Sequence, residues 1–192
     1  MIERPHPLFE QAWPDGEYRL FQLGFVVDDL IAAARRWATA FGVGPFHVLP
    51  PVESACTYRG ASSGVRLQVG VAQAGPVQIE LIQQHCDRDS IFREDRFRTR
   101  TGFHQLCTVT RDYDGKRAFY ERLGYGLACE LAAPDGQRVA YFDTVEAFGF
   151  FTEVVEETPR FLGLLAGIAD RCASWDGTDP VRLLTRTGYR VP

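Results

Sequence analysis

QLGFVVDD at residues 22–29 and QLCTVTRD at residues 105–112 decide how this chain folds. The two stretches align without a gap at an offset of 83, setting Gln22 on Gln105, Leu23 on Leu106, Val26 on Val109 and Asp29 on Asp112. Each reads as a strand of β-favouring residues running into aspartates able to cap a helix. Downstream, with one residue removed, Trp37 falls on Phe119, Phe41 on Leu123, Gly42 on Gly124 and Gly44 on Gly126. Farther on, QIELI (78–82) matches FTEVV (151–155), so that Glu80 falls on Glu153. Chance supplies one such match; three in the same order mark an internal duplication.

Working outward, the first half reads as a strand at 21–27 followed by a helix in LIAAARRWATAF (30–41). There Leu30, Ala34, Trp37 and Phe41 form one apolar stripe, and Gly42, Gly44 and Pro45 stop the helix. Strands follow at 46–59, broken by Pro50 and Pro51, then at 65–72 and 77–83. The second half repeats the order: a strand at 103–110, a helix at 116–123 carrying Phe119 and Leu123 inward, and strands at 127–132, 138–143 and 148–155. Pro134-Asp135-Gly136 makes a turn between the first two of these. This divides the chain into an extended N-terminal arm at 1–18 with Pro5, Pro7 and Pro14, a first module at 19–90, a linker at 91–101 and a second module at 102–157. Residues 158–192 hold an amphipathic helix to about 173 and a polar, turn-rich tail.

Composition narrows the function classes. Lys and Arg number 21 against 25 Asp and Glu, a net charge of −4 that offers nucleic acid no basic field. Hydrophobic residues make up 45 % of the chain, enough for a packed core, and no apolar run approaches the length of a membrane span. Five scattered cysteines without a CxxC pair argue against a disulfide scaffold, and the first twenty residues lack the basic start and apolar run of a secretory leader. The expectation is a soluble cytoplasmic protein that binds a small molecule.

A duplicated strand–helix–three-strand module, with a polar position on its first strand and a Glu on its last, resembles the vicinal oxygen chelate superfamily of glyoxalases, bleomycin resistance proteins and dioxygenases. QLGFVVDDL, GVGPF, VQIELIQ, GFHQLC and TEVVE make it look most like the glyoxalase-like branch near methylmalonyl-CoA epimerase, over roughly residues 20–156. The resemblance implies an α+β fold in which two tandem βαβββ modules form a curled mixed sheet around a cleft, with the C-terminal helix appended. It also implies that the metal-ligand positions fall on Gln22, Glu80, Gln105 and Glu153. Metal-binding relatives usually carry His on the first strand of at least one module, whereas this chain has Gln in both. His104 stands beside Gln105, but strand alternation sends neighbours to opposite faces unless a bulge intervenes. The repeat places Gln105 inward and His104 toward the helices, so His104 joins the ligand set only if the strand register turns it inward.

With Gln105 inward the set is all oxygen and suits Mg²⁺ or Mn²⁺; with His104 inward it suits Zn²⁺. The residues leave open whether any divalent metal binds. The implied activity is that of a metal-assisted isomerase, epimerase or lyase working on a small carbonyl or thioester compound through an enediolate. Glu153 is the first candidate for the base and Glu80 the second. Without a metal the two carboxylates repel, and one pKa rises. Phe151 and Cys107 are candidate substrate contacts on the cleft strands. The alternative is a metal-free binding or sequestering protein of the antibiotic-resistance type. Arg93, Arg96, Arg98 and Arg100 are interleaved with Asp87, Asp89, Glu94 and Asp95, which reads as a solvated face rather than a phosphate grip. A homodimer is expected, because half-barrels expose sheet edges that need covering.

Overall fold

The computed structural model describes residues 19–94, 102–133 and 136–192. The N-terminal arm, Arg96, Arg98, Arg100 and the Pro134-Asp135 half of the expected turn lie outside the described residues. The first module comprises β1 (Arg19–Val26), α1 (Leu30–Phe41), β2 (Phe46–Val48), β3 (Val52–Tyr58), β4 (Ala61–Ala74) and β5 (Val77–Gln84). The second comprises β6 (Gly102–Thr110), α2 (Tyr113–Arg122), β7 (Leu127–Ala132), β8 (Arg138–Phe142), α3 (Val145–Phe148) and β9 (Phe151–Glu156). Helix α4 (Pro159–Ala173) and strands β10 (Val181–Thr185) and β11 (Gly188–Arg190) complete the chain.

The caps read from sequence are made: Asp29 accepts from the Ala32 amide at 2.9 Å, and Gly42 closes α1 in the left-handed conformation at φ 65°. The strands form one mixed sheet in the order β11-β10-β2-β4-β3-β7-β8-β9-β6-β1-β5, with β5 also paired to β4. That last pairing closes eight strands, four from each module, into a curled barrel-like ring. Its two seams between modules, β1–β6 and β3–β7, are both antiparallel. The edges an isolated half-barrel would expose are therefore paired within one chain, and the strand order ends in the three-residue β11.

Burial separates the faces. Outside the first module, Leu30, Ala33 and Ala34 of α1 pack on Phe46, Val48, Ala72, Ile79, Leu81 and Val181. Outside the second, Tyr113 of α2 packs on Ala140, Phe142 and Val154. The inward cluster gathers Val26, Cys56, Val65, Ile82, Cys129, Tyr141 and Phe151 from seven strands of the ring. It also holds Ile91 and Phe92, delivered by a 3₁₀ turn at Ile91–Arg93 that opens the linker between modules.

The structure revises several local readings. Leu123 is 55 % exposed and Phe41 70 % exposed. Helix α2 begins at Tyr113, because Asp112 caps it through the Gly115 amide, and its buried residues are Tyr113 and Lys116. The turn-rich tail forms a hairpin whose β10 runs parallel to β2. VRLLT is a short run that becomes a strand only because β2 offers it an edge. Finally, α3 occupies Val145–Phe148, so the last strand of the second module starts at Phe151.

Candidate functional site

The β1–β6 seam holds the site, and two bulges shape it. Leu20 pairs with Thr108 and Gln22 with Cys107, leaving Phe21 as an extra residue in β1. Gly24 pairs with Gln105 and Phe25 with Phe103, leaving His104 as an extra residue in β6. Phe21 and His104 are equivalents under the offset of 83, so each module's first strand bulges just before its glutamine. The alternation argument that sent His104 toward the helices fails here, because a bulge resets which face the neighbours take. His104 turns inward: its ring lies 5.0 Å from that of Phe92 and 5.0 Å from that of Phe151. Its Nδ1 meets Gln105 Oε1, and its Nε2 lies 3.1 Å from the Ile91 carbonyl.

Gln105 is fully buried and is the hub. Its Nε2 donates to Glu80 Oε2 at 3.0 Å and to Glu153 Oε2 at 3.4 Å, so one amide spans both carboxylates. The side chain reaches them by lying across Gly24. A Cβ on Gly24 would stand 2.2 Å from Gln105 Nε2 and 2.3 Å from its Cδ, so the bridge requires glycine there. Cys107, the equivalent of Gly24 in the second module, is buried beside Glu153. The Tyr141 hydroxyl donates to Glu153 Oε1 at 2.9 Å.

Electrostatics divides the pair. Burial pushes the Glu80 carboxyl well above the usual carboxylate range, and the neighbouring Glu153 pushes it farther. Burial also raises Glu153, and hydrogen bonds from Cys107, Tyr141 and Gln105 offset only part of that rise. Of the two, Glu80 holds its proton the more tightly, and Glu153 is the first to give its proton up.

Gln22 is buried and pairs across the β1–β5 seam with Gln78. Gln78 shares the inward face with Glu80, and its Oε1 is buried without a hydrogen-bond partner. Phe151 is fully buried against His104. The structure therefore brings Gln22, Glu80, Gln105, Glu153, His104, Cys107 and Phe151 to one region of the interior. The sequence reading missed Gly24, Gln78, Tyr141 and Phe92. Gln78 was signalled by its place two residues before Glu80 on an alternating strand. Phe92 carried no signal, since nothing in the linker marks it as entering the ring. Among the described linker residues, Arg93 bonds the Cys86 carbonyl at 2.9 Å and Asp87 at 2.8 Å, as a half-solvated ion pair. Among the described residues no group of three or more His, Cys, Asp or Glu is placed to hold a metal ion.

Comparison with known proteins agrees with this architecture. A model of the glyoxalase/bleomycin resistance protein/dioxygenase superfamily matches residues 21–141. No curated protein matches the chain. Among solved structures, methylmalonyl-CoA epimerase from Mycobacterium tuberculosis is similar at 19 % identity and a TM-score of 0.53, covering 79 % of this chain and 97 % of that one. The Streptomyces coelicolor methylmalonyl-CoA epimerase in complex with 2-nitronate-propionyl-CoA gives 19 % identity and 0.53, covering 74 % and 96 %. A hypothetical protein from Bacillus halodurans C-125 gives 16 % and 0.51, covering 72 % and 94 %. At these identities the likeness establishes the fold, and the family match extends over more than half of the sequence. The chain belongs to the glyoxalase/bleomycin resistance protein/dioxygenase superfamily.

Proposed function

We propose that this protein is an isomerase or lyase of the glyoxalase and epimerase type, moving a proton at a carbon next to a carbonyl or thioester. The observation that carries this reading is the Glu80–Gln105–Glu153 bridge, a half-buried and a buried carboxyl joined by one amide, with Glu80 raised farther above the ordinary carboxylate range than Glu153. Glu153 takes the proton from the acidic carbon, and protonated Glu80 delivers one to the developing enolate or to the neighbouring carbon. Cys107 and Phe151 form the wall against which the small substrate rests, and Tyr141 holds the Glu153 carboxylate in place.

Whether the residues fit a metal turns on one amide. A neutral imidazole carries one N–H. If His104 uses it on the Ile91 carbonyl, its Nδ1 accepts, and Gln105 must present its NH₂ there. Gln105 Oε1 then faces Glu80 and Glu153, and with Gln22 these oxygens fit a hard divalent cation such as Mg²⁺ or Mn²⁺. Such an ion would polarise the substrate oxygen. A neutral His104 holds the amide in that orientation, and only an imidazolium, donating from both nitrogens, would hold it with Oε1 toward Nδ1. The second reading, a metal-free binding protein, is favoured by the amide orientation in which nitrogen rather than oxygen faces the carboxylates. The described cysteines are all free thiols, in keeping with a reducing cytoplasm. Among the described residues no helix is long and apolar enough to cross a membrane.

The test is incubation in D₂O with a panel of acyl thioesters and 2-oxo acids, read by mass spectrometry for deuterium uptake, with and without Mg²⁺ and Mn²⁺. Exchange that disappears in a folded Glu153→Gln variant supports the enzyme. Stoichiometric retention of a ligand with no exchange in any condition supports the binding protein instead.

A further inference from the structure

Beyond the ring, β2 and β10 continue the sheet from β4, and register shows which side chains share a face. Arg182 pairs with His47, His47 with Val71, Val71 with Glu80, and Glu80 with Gly24. Register partners point to the same side of a sheet. The alternating residues Phe46, Val48, Ala72, Ile79, Leu81 and Val181 all pack on α1, so Arg182, His47 and Glu80 stand together on the other face. Two strand spacings separate Glu80 from His47, about 10 Å.

His47 is only 4 % exposed, and neither ring nitrogen has a hydrogen-bond partner. A buried imidazole with two idle polar atoms is costly and calls for a ligand. Its surroundings are cationic. Its ring lies 5.1 Å from that of Tyr189, and the Arg171 guanidinium at the end of α4 lies 5.7 Å from the same Tyr189 ring. Among the described residues neither Arg171 nor Arg182 makes an ion pair with a carboxylate. Asp176, the acid near Arg182, spends its carboxylate on the amide and hydroxyl of Thr178 at 2.9 and 2.7 Å. Arg171 is exposed, which leaves the group reachable from solvent.

We propose that His47, Arg171 and Arg182 form an anion subsite, which takes the carboxylate or phosphate of the ligand whose reacting end meets Glu80. The assignment of the anion to a substrate rests on the proton-transfer reading of the ring; the anion site itself does not. The two arginines supply charge-assisted hydrogen bonds, and His47 donates from the floor. Burial and both guanidiniums hold the empty His47 at a pKa of about 4, so an incoming anion also relieves an unfavourable field. The ligand class that follows is a small acid or phosphate ester with its acidic carbon about 10 Å from the anionic group.

The experiment is calorimetric titration of the full chain with inorganic phosphate and with succinate, using succinamide as the uncharged control. Long-range ¹H–¹⁵N spectra follow the His47 ring nitrogens. One equivalent of phosphate or succinate should bind, succinamide should not, and the His47 resonances should move. Arg182→Gln should weaken binding about tenfold or more, as expected for loss of a charge-assisted contact. Whichever anion binds more tightly identifies the class. Absence of binding by both anions, equal binding in Arg182→Gln, or unmoved His47 resonances would overturn the proposal. Binding is read without turnover, so a protein that binds anions but exchanges no deuterium loses the catalytic reading and keeps the subsite.

Discussion

Gly24→Ala is the most informative small change available in this molecule. Gly24 lies in the extended backbone of β1, so alanine strains no dihedral there; only space is at issue. The new methyl would stand 2.2 Å from Gln105 Nε2, so the amide must leave Glu80 and Glu153. Leaving the amide and the half-buried Glu80 carboxyl unsatisfied costs about 2–4 kcal/mol, at about 1–2 kcal/mol for each, the lower part of the range for a group shut off from water. Alanine recovers about 0.5–1 kcal/mol relative to glycine in a strand, for a net loss of about 1.5–3 kcal/mol. Urea denaturation at pH 7 reads this directly, and the double-mutant cycle with Gln105→Ala assigns it. With the side chain at 105 already cut back, Gly24→Ala should be close to neutral, giving a coupling of about 1.5–3 kcal/mol. An equal cost in both backgrounds would refute the crossing of Gln105 over Gly24.

Glu80 binds its proton more tightly folded than unfolded, so its contribution is complete below the ordinary carboxylate range and is lost as pH rises through the raised folded value. Glu80→Gln, a mimic of the protonated acid, should flatten the decline of stability as pH rises above the ordinary carboxylate range; an unchanged slope in urea midpoints would contradict this. Tyr141→Phe removes the 2.9 Å bond to Glu153, costing about 1–2 kcal/mol and moving the Glu153 titration upward. A pH–rate profile or carboxyl NMR that stays where the wild type has it would count against that role. Phe92→Ala should lose about 3–5 kcal/mol in denaturant unfolding, as for any aromatic removed from a packed interior. A loss under 1 kcal/mol would show that the 3₁₀ turn does not fill the ring.

The duplication was legible because it lives in residue types at fixed spacing: Gln22 over Gln105 and Glu80 over Glu153 are visible in the chain and end in one cluster. The bulges were not. Period-two reading assigns His104 outward, and one extra residue in β6 reverses that without changing any residue type. The same limit hid Gly24, whose role depends on what crosses it from another module. Strand β10 was missed for a different reason, since its partner β2 lies more than a hundred residues away and five residues carry little propensity of their own. Asp29 and Gly42 were read correctly because caps act within one turn.

The central claim is that the ring interior holds two carboxyls of split proton affinity, Glu80 above Glu153. Glutamate ¹³Cδ NMR across pH 4 to 10 (roughly the range in which buried carboxyls titrate), with Glu80→Gln and Glu153→Gln to assign the signals, tests it directly. The account predicts one carboxyl, Glu80, titrating well above the ordinary carboxylate range, and a lower transition for Glu153. Two transitions side by side in the ordinary range would contradict it.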